Sequence, residues 1–210
     1  MRRLAGILVV GLLSILPAHT QESNAAGATV PDASRSLFLI ARPGMPDPNF
    51  RETVVLITQS ENTESIGVII NRPTHHSLAE LLPGERFHRF TDPVFFGGPV
   101  NLNGLFAVFH ADKPPGTAIT LLPDLHLALH PDTVDTLIRN PPVAIRFFTG
   151  FASWAPGQLQ GELDRGDWFI ADADADAVFR KDSSNLWRDM VQRARAVHAA
   201  ALLHAALIKD

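Results

Sequence analysis

The sequence contains no cysteine among its 210 residues. A chain without thiols forms no disulfides, uses no cysteine nucleophile and binds no metal through thiolates. It also offers no residue for lipoprotein attachment. The absence is compatible with an oxidising compartment, although it does not establish one.

A strong excess of charge is also missing. The chain has 18 lysines and arginines against 22 aspartates and glutamates, for a formal net charge of −4. Hydrophobic residues make up 46% and charged residues 19%, which is typical of a globular protein. A mildly acidic protein has no general attraction for phosphate backbones, so the composition disfavours direct nucleic-acid binding.

The N-terminus has the pattern of a secretory leader. Arg2 and Arg3 precede the uncharged run Leu4–Leu16, and small residues follow. Because a spanning helix needs about 20 apolar residues, the run is too short to cross a membrane and favours a signal peptide. We expect a signal peptide over residues 1–28, cleaved at about 25–28, and a periplasmic or secreted protein. Membrane association would require an uncleaved leader, and a mis-annotated start codon would instead imply a cytoplasmic protein.

The rest of the chain reads as one domain without internal repeats. We expect a linker over residues 29–35, a folded domain over 36–195 and a C-terminal helical tail over 196–210. Short apolar runs predict strands, and their continuous hydrophobicity predicts burial on both faces. The predicted strands are 37–41, 53–58, 66–70, 93–96, 105–110, 125–130 and 168–171. The predicted helices are 77–82, 132–138 and a long one from Ser183 or Ser184 toward Ile208.

One stretch, Ala144–Leu163, combines a strand, a turn and a helix within twenty residues. We expect the strand to break at Gly150 and the helix to begin at Pro156, where a fixed φ suits a first helical position. Gln158 and Glu162 are four residues apart and would share one helix face. Polar groups beside a helix N-terminus are a common place for holding an anion or a carbonyl.

Several separated motifs carry a resemblance to a known family. They are SLFLIARPGMPDPNFRETVVLI, GVIINRP, FFGGPV, LFAVFH and GFASWAPGQLQGELDRGDWFI, followed by Leu186-Trp187. In this order, over about Ser36 to Arg193, they resemble the AlgH/YqgE family of bacterial proteins. The resemblance implies a single compact α+β domain of mostly antiparallel sheets with flanking helices. It also implies a family without an established enzymatic activity, one member of which is named as a regulator of alginate production.

Three classes of function stay open at this point. The first is a non-catalytic ligand-binding or regulatory protein, because no nucleophile and base form a recognisable constellation. Its candidate cleft consists of Asn71, Arg72, Gly97, Gly98, Trp154, Gln158 and Glu162. The second is a hydrolase or transferase with Glu162 as acid and base and Arg72 as an anion clamp. The third is a structural or interaction protein of the envelope that uses the C-terminal helix as its partner surface.

Each candidate residue also has a structural interpretation. Arg72 could belong to an ion pair at a turn, and Gly97-Gly98 could form a strained connection between strands. Trp154 could anchor the core, because tryptophans bury large areas. As partners we expect a small anionic ligand or a protein, and the sequence does not predict the oligomeric state.

The histidines and aspartates do not predict a metal site, and we expect no cofactor. On a strand, His126 and His130 would lie about 13 Å apart, at roughly 3.3 Å per residue, which is too far for one zinc ion. The three aspartates between Asp172 and Asp176 imitate the start of a calcium loop. However, Ala177 stands where that loop needs glycine and Ser183 where it needs glutamate.

Overall fold

The computed structural model describes residues 36–58 and 64–207, with side chains up to residue 200. The expected signal peptide and linker therefore lie outside the described residues. The described strands are β1 Ser36–Ala41, β2 Val54–Thr58, β3 Ser65–Ile69, β4 Pro73–Ser77, β5 Pro93–Phe96, β6 Val100–His110, β7 Ile119–Leu122, β8 Leu125–Ala128, β9 Ile145–Trp154 and β10 Trp168–Asp172. The α-helices are α1 Leu78–Leu81, α2 Pro131–Arg139, α3 Gln158–Asp164, α4 Ala175–Phe179 and α5 Leu186–Leu207, and a 3₁₀ turn covers Glu85–Phe87.

The described strands join in one sheet with the order β10-β1-β2-β3-β9-β6-β8-β7, and β4 and β5 attach beside β9. All pairings are antiparallel except the short one between β5 and β9. Strand β9 pairs with β3, β5 and β6, so it lies where the two halves of the sheet meet. The predicted α+β class with mostly antiparallel sheets is confirmed.

The hydrophobic core lies on both faces of the sheet. Every residue of β1 and β2 is buried, as their continuous apolar sequences predict. On one face the side chains of these strands pack with α4 and α5. On the other face they pack with Leu159 of α3 and with the indoles of Trp154 and Trp168. Helix α2 covers a third cluster beside β6 and β8.

Two predictions for the central stretch are wrong. Gly150 does not break the strand, because with φ at +68° it lets β9 continue to Trp154. The helix does not begin at Pro156 but at Gln158, after Gly157 in a left-handed conformation with φ at +79°. Pro156 and Gly157 form a tight turn instead, closed by the Gln158 N–H donating to the Ala155 carbonyl at 3.0 Å.

Helix α1 follows its sequence signal, whereas the predicted end of the strand at His130 and the predicted helix start at Asp132 are wrong. Helix α1 begins after Ser77 with the expected capping box, in which Glu80 accepts from the Ser77 N–H at 2.9 Å. Helix α2 starts before Asp132, because the His130 side chain accepts from the Asp132 N–H at 3.3 Å and is the N-cap. Strand β8 consequently ends at Ala128, and His130 is not part of it.

Three elements lack a clear sequence signal. They are the polar strand β4, the short strand β7 and the helix α4. Asp174 is the N-cap of α4 and accepts from the Asp176 N–H at 3.0 Å, so part of the calcium-like aspartate pattern begins a helix. In the described part of the chain, none of the helices is long and apolar enough to span a membrane.

Candidate functional site

A half-buried carboxylate, that of Glu162, is the centre of the site. Strand β9 ends at Trp154, α3 carries Glu162 and β10 begins at Trp168, so three elements meet at this point. One Glu162 oxygen, Oε2, accepts hydrogen bonds from both indole Nε1–H groups, each at 2.9 Å. Trp154 is 1% exposed and Trp168 is 3% exposed. Because charge-assisted bonds strengthen where water is excluded, Glu162 ties the end of β9 to the start of β10.

The rest of the cluster closes it from outside. The Gln158 amide nitrogen donates to Glu162 Oε1 at 3.1 Å, and its amide oxygen accepts from the Ala155 N–H at 3.2 Å. Gln158 and Glu162 therefore share one helix face, as predicted. The Phe50 ring lies 5.5 Å from the Trp154 ring and 5.6 Å from the Trp168 ring, measured between centroids. The cluster therefore consists of three aromatic rings packed together and one carboxylate that two of them bind, and its polar groups bond to one another.

Arg72 is used in a different place, by the loop that follows β1. Its Nη1 donates to the Asn49 carbonyl at 2.6 Å, and its Nη2 donates to the Arg51 carbonyl at 2.7 Å. Burial lowers the pKa of Arg72, and the charges of Asp47 and Glu52 oppose that shift. A guanidinium stays protonated in proteins, so Arg72 holds the loop as a cation.

Neighbouring Asn71 also serves the fold. Its side-chain oxygen accepts from the Val54 N–H at 2.8 Å, and its amide nitrogen donates to the Glu52 carbonyl at 2.9 Å. The pair Asn71-Arg72 thus fastens the loop to the end of β3. The ion pair considered for Arg72 is replaced by bonds to backbone carbonyls.

Replacing Arg72 with lysine should destabilise the protein by about 1–3 kcal/mol, because one ammonium cannot reproduce a fork that spans separate carbonyls. The measurement is urea unfolding followed by fluorescence. Arg165→Lys is the matched control: Arg165 pairs with Asp167 at 2.8 Å on an exposed surface. The control should cost less than about 1 kcal/mol. Equal midpoints for Arg72→Lys and the unmodified protein would contradict this role of Arg72.

The glycine pair lies under β9. A Cβ on Gly97 would come within 2.3 Å of the Gly150 carbonyl oxygen, and one on Gly98 within 2.3 Å of the Phe151 carbonyl carbon. The Gly97 N–H donates to the Thr149 carbonyl at 2.9 Å. The close backbone approach expected of this loop thus exists, and the approaching group is the protein's own strand.

The structure brings together Trp154, Gln158 and Glu162, while Asn71 and Arg72 fasten a loop and Gly97 and Gly98 fit against β9. The contacts of all seven residues are contacts within the fold. Their assignment to a ligand cleft stays a prediction. Sequence reasoning missed Trp168 and Phe50 as members of the cluster, and no spacing or motif could have linked them to Glu162.

The histidines are used individually. His126 is buried, and its Nε2 lies 2.8 Å from the Ala111 carbonyl oxygen while its Nδ1 lies 3.3 Å from the Thr120 hydroxyl. Within the described residues, no three histidines, aspartates or glutamates are grouped closely enough to hold a metal ion.

The domain has two further concave surfaces, and Trp168 of the cluster lines the second of them. One, of about 440 Å³, lies beside Arg146, whose Nη2 donates to the Arg180 carbonyl at 2.9 Å. Burial lowers the pKa of Arg146 to about 10, and Asp92 opposes the shift. The other surface is a groove of about 1030 Å³ between α5 and the first and last strands, β1 and β10. No sequence motif indicates either surface.

Fold and site together define a class of protein. It is a single α+β domain with a curled antiparallel sheet, in which a glutamate on a helix accepts hydrogen bonds from tryptophans on two strands. The chain belongs to the AlgH-like family, DUF179, whose model matches residues 38–198. The proteins and solved structures to which it is similar agree with this membership.

A UPF0301 protein of Myxococcus xanthus is 36% identical over 170 residues, which cover 79% of this chain and 93% of that protein. A UPF0301 protein of Streptomyces avermitilis is 31% identical, over 81% of this chain and 91% of that one. The solution structure of the AlgH protein from Pseudomonas aeruginosa matches with a TM-score of 0.62 and 27% identity, over 82% of this chain and 90% of that one.

Proposed function

We propose that this protein is a non-catalytic ligand-binding or regulatory protein. The observation that supports its non-catalytic part is the bonding of the half-buried Glu162, which accepts from two buried indoles and one amide. A general acid or base must reach a substrate proton at hydrogen-bond distance. A carboxylate that already accepts from the Trp154 and Trp168 indoles would have to give up these bonds to take part in proton transfer.

The same contacts argue against the alternative of a hydrolase or transferase. That mechanism needs Glu162 as acid and base and Arg72 as anion clamp, and the Arg72 guanidinium donates to the backbone of its own loop. Both groups would have to leave their partners before they could act. A small anionic ligand bound on another surface requires no such rearrangement.

An envelope interaction protein is the second candidate. Two large apolar side chains favour it, since Ile170 on β10 is 50% exposed and Val197 on α5 is 70% exposed. Photo-crosslinking from position 197 in intact cells tests this candidate. A single protein crosslinked in stoichiometric yield would support it, and the absence of any adduct would count against it.

We also propose a periplasmic or secreted location, supported by the basic start and uncharged run of residues 1–28. A fusion of residues 1–35 to a reporter that is active only outside the cytoplasm should give activity. Activity confined to a cytoplasmic reporter would refute the location.

Glu162→Gln separates the two chemical classes. The purified protein should show no turnover of ester, phosphoester, amide or glycoside reporter substrates, either before or after this substitution. The variant should instead lose stability, by about 1–3 kcal/mol, because an amide is a weaker acceptor for two buried indoles than a carboxylate. Any turnover that the unmodified protein shows and Glu162→Gln abolishes would overturn the non-catalytic proposal.

The ligand-binding part of the proposal is tested by purifying the protein from its own cells and identifying the small molecules that remain bound to it. Mass spectrometry of the extract released by denaturation should find one anionic compound in near-stoichiometric amount. Arg188→Glu serves as a control for nonspecific charge effects, since Arg188 is exposed and bonds Asn185 just before α5. Extracts without an enriched compound would contradict a tightly held ligand.

A further inference from the structure

The groove beside α5 lies at the edge of the sheet. Strand β10 is the terminal strand in the described sheet order and pairs there with β1 alone. From Arg195 to Ala200 the helix side chains are exposed, and Val197 lies across the groove from β10. The space between them measures about 1030 Å³. Ligand sites for small molecules are usually about 300–1,000 Å³, so the groove is large enough for one.

The hydrogen bonding of the arginine side chains distinguishes this groove from the rest of the described surface. Among the described residues, nine arginines donate side-chain hydrogen bonds within the fold, and they are Arg51, Arg72, Arg86, Arg89, Arg139, Arg146, Arg165, Arg180 and Arg188. The other three, Arg42, Arg193 and Arg195, have no acceptor in that part of the chain, and all three line the groove or its adjoining pocket. The Nε of Arg42 is fully buried without a partner.

Two of these three arginines, Arg42 and Arg195, lie together at one end of the groove. Arg42 follows β1 where Ala41 pairs with Trp168, and its guanidinium lies 4.2 Å from the centre of the Phe169 ring. Arg195 and His198 of α5 reach the same pocket of about 400 Å³. At the opposite end of β10 the groove is lined by Asp172 and Asp174. An anion is therefore attracted to the Arg42 end.

Between the two ends the lining is apolar. Phe169, Ile170, Ala194 and Val197 face the space from β10 and from α5. Exposed apolar side chains of this size gain about 25 cal/mol for each Å² that a ligand covers. One anionic head with an apolar tail matches this distribution of charge.

We propose that the groove binds a free single-chain amphiphile with one anionic head group, such as a medium-chain fatty acid. Its head would contact Arg42 and Arg195, and its alkyl chain would lie between β10 and α5. The proposal deepens the ligand-binding function proposed above and rests on it. An acidic peptide along β10 is less suited, because its further carboxylates would lie against the apolar side chains of Ile170 and Val197.

The test uses the purified full chain and sodium decanoate below its micelle concentration, with binding followed by calorimetry. Decanoate should bind at least tenfold more tightly than decanol, which has the same tail and a neutral head. Arg195→Glu should weaken decanoate binding at least tenfold, and Val197→Asp should weaken it at least fivefold. Arg188→Glu, on the same helix but outside the groove, should leave the affinity unchanged.

The variants are chosen so that misfolding does not imitate loss of binding. Arg195, Val197 and Arg188 are all exposed, so unfolding midpoints should match that of the unmodified protein. Equal affinity for decanoate and decanol, or equal loss in the Arg188→Glu control, would overturn the proposal. Absence of decanoate binding would also overturn it, and the ligand-binding function would still stand if cell extracts yielded a different bound compound.

Two further experiments test whether something other than a free amphiphile occupies the groove. Vesicles of phosphatidylglycerol should not bind the protein more tightly than neutral vesicles do, and binding to them without binding of free decanoate would overturn the proposal. A change in oligomeric state caused by Val197→Asp, again without decanoate binding, would assign the face to a second copy of the chain and overturn it as well.

Discussion

Trp154→Ala will lower the free energy of unfolding by about 3–5 kcal/mol, because truncating a buried aromatic ring leaves a cavity that the core refills only in part. The indole is 1% exposed and packs with Phe50 and Trp168. The substitution also removes one of the two indole donors to Glu162 Oε2. Domains are held together by about 5–15 kcal/mol, so the variant should express poorly and melt at a much lower temperature.

Gln158→Ala is the control for this prediction. Gln158 is exposed at the start of α3, and the groups it leaves behind can turn to water. Its loss should cost about 1 kcal/mol or less. Thermal unfolding by circular dichroism distinguishes the two variants. A Trp154→Ala protein that melts like the unmodified protein but loses ligand binding would make Trp154 a binding platform. Equal destabilisation by both substitutions would make Gln158 a structural bridge.

Gly98→Ala will be at least as damaging, and we expect little soluble protein. The φ of Gly98 is +151°, which side chains rarely adopt, and the added Cβ would lie 2.3 Å from the Phe151 carbonyl carbon. Strand β9 would have to move, because the clashing atoms belong to backbone. Overpacking a core costs about 1–3 kcal/mol even where side chains can adjust, and here they cannot relieve the contact.

Gly161→Ala is the matched glycine control. Gly161 is inside α3, and a Cβ there meets only the end of the Arg165 side chain, at 3.7 Å. Alanine in a helix interior should stabilise the protein by about 0.5–1 kcal/mol. Soluble yield and urea midpoint measure both variants. A Gly98→Ala protein with an unchanged midpoint would show that the approach of Gly98 to β9 is not a packing requirement.

Much of the fold could be predicted from the sequence because apolar runs and caps are local signals. Strands β1 and β2 and the capping box of α1 follow from residues within a few positions of one another. Gly150 could not be interpreted in this way, since whether a glycine breaks a strand or lets it continue depends on the strand beside it. Strand β4 is polar and is defined by its pairing with β5, which no local pattern shows.

The candidate site shows the same division between local and distant information. Gln158 and Glu162 are four apart and meet as predicted, because helix geometry fixes their relation. The guanidinium of Arg72 finds its acceptors about twenty residues away, and Phe50 reaches the two tryptophan rings from a loop that is distant in sequence. The groove beside α5 likewise depends on where the helix leaves the sheet, which is a property of the packed domain.

Hydrogen exchange of the Trp154 and Trp168 indole N–H groups, observed by nuclear magnetic resonance, tests the central claim most directly. If Glu162 is a closed structural acceptor, both signals should be strongly protected and should exchange only with unfolding of the domain, because both rings are nearly fully buried. Exchange of either indole at the rate of free tryptophan in the native protein would show an open cleft and contradict the account.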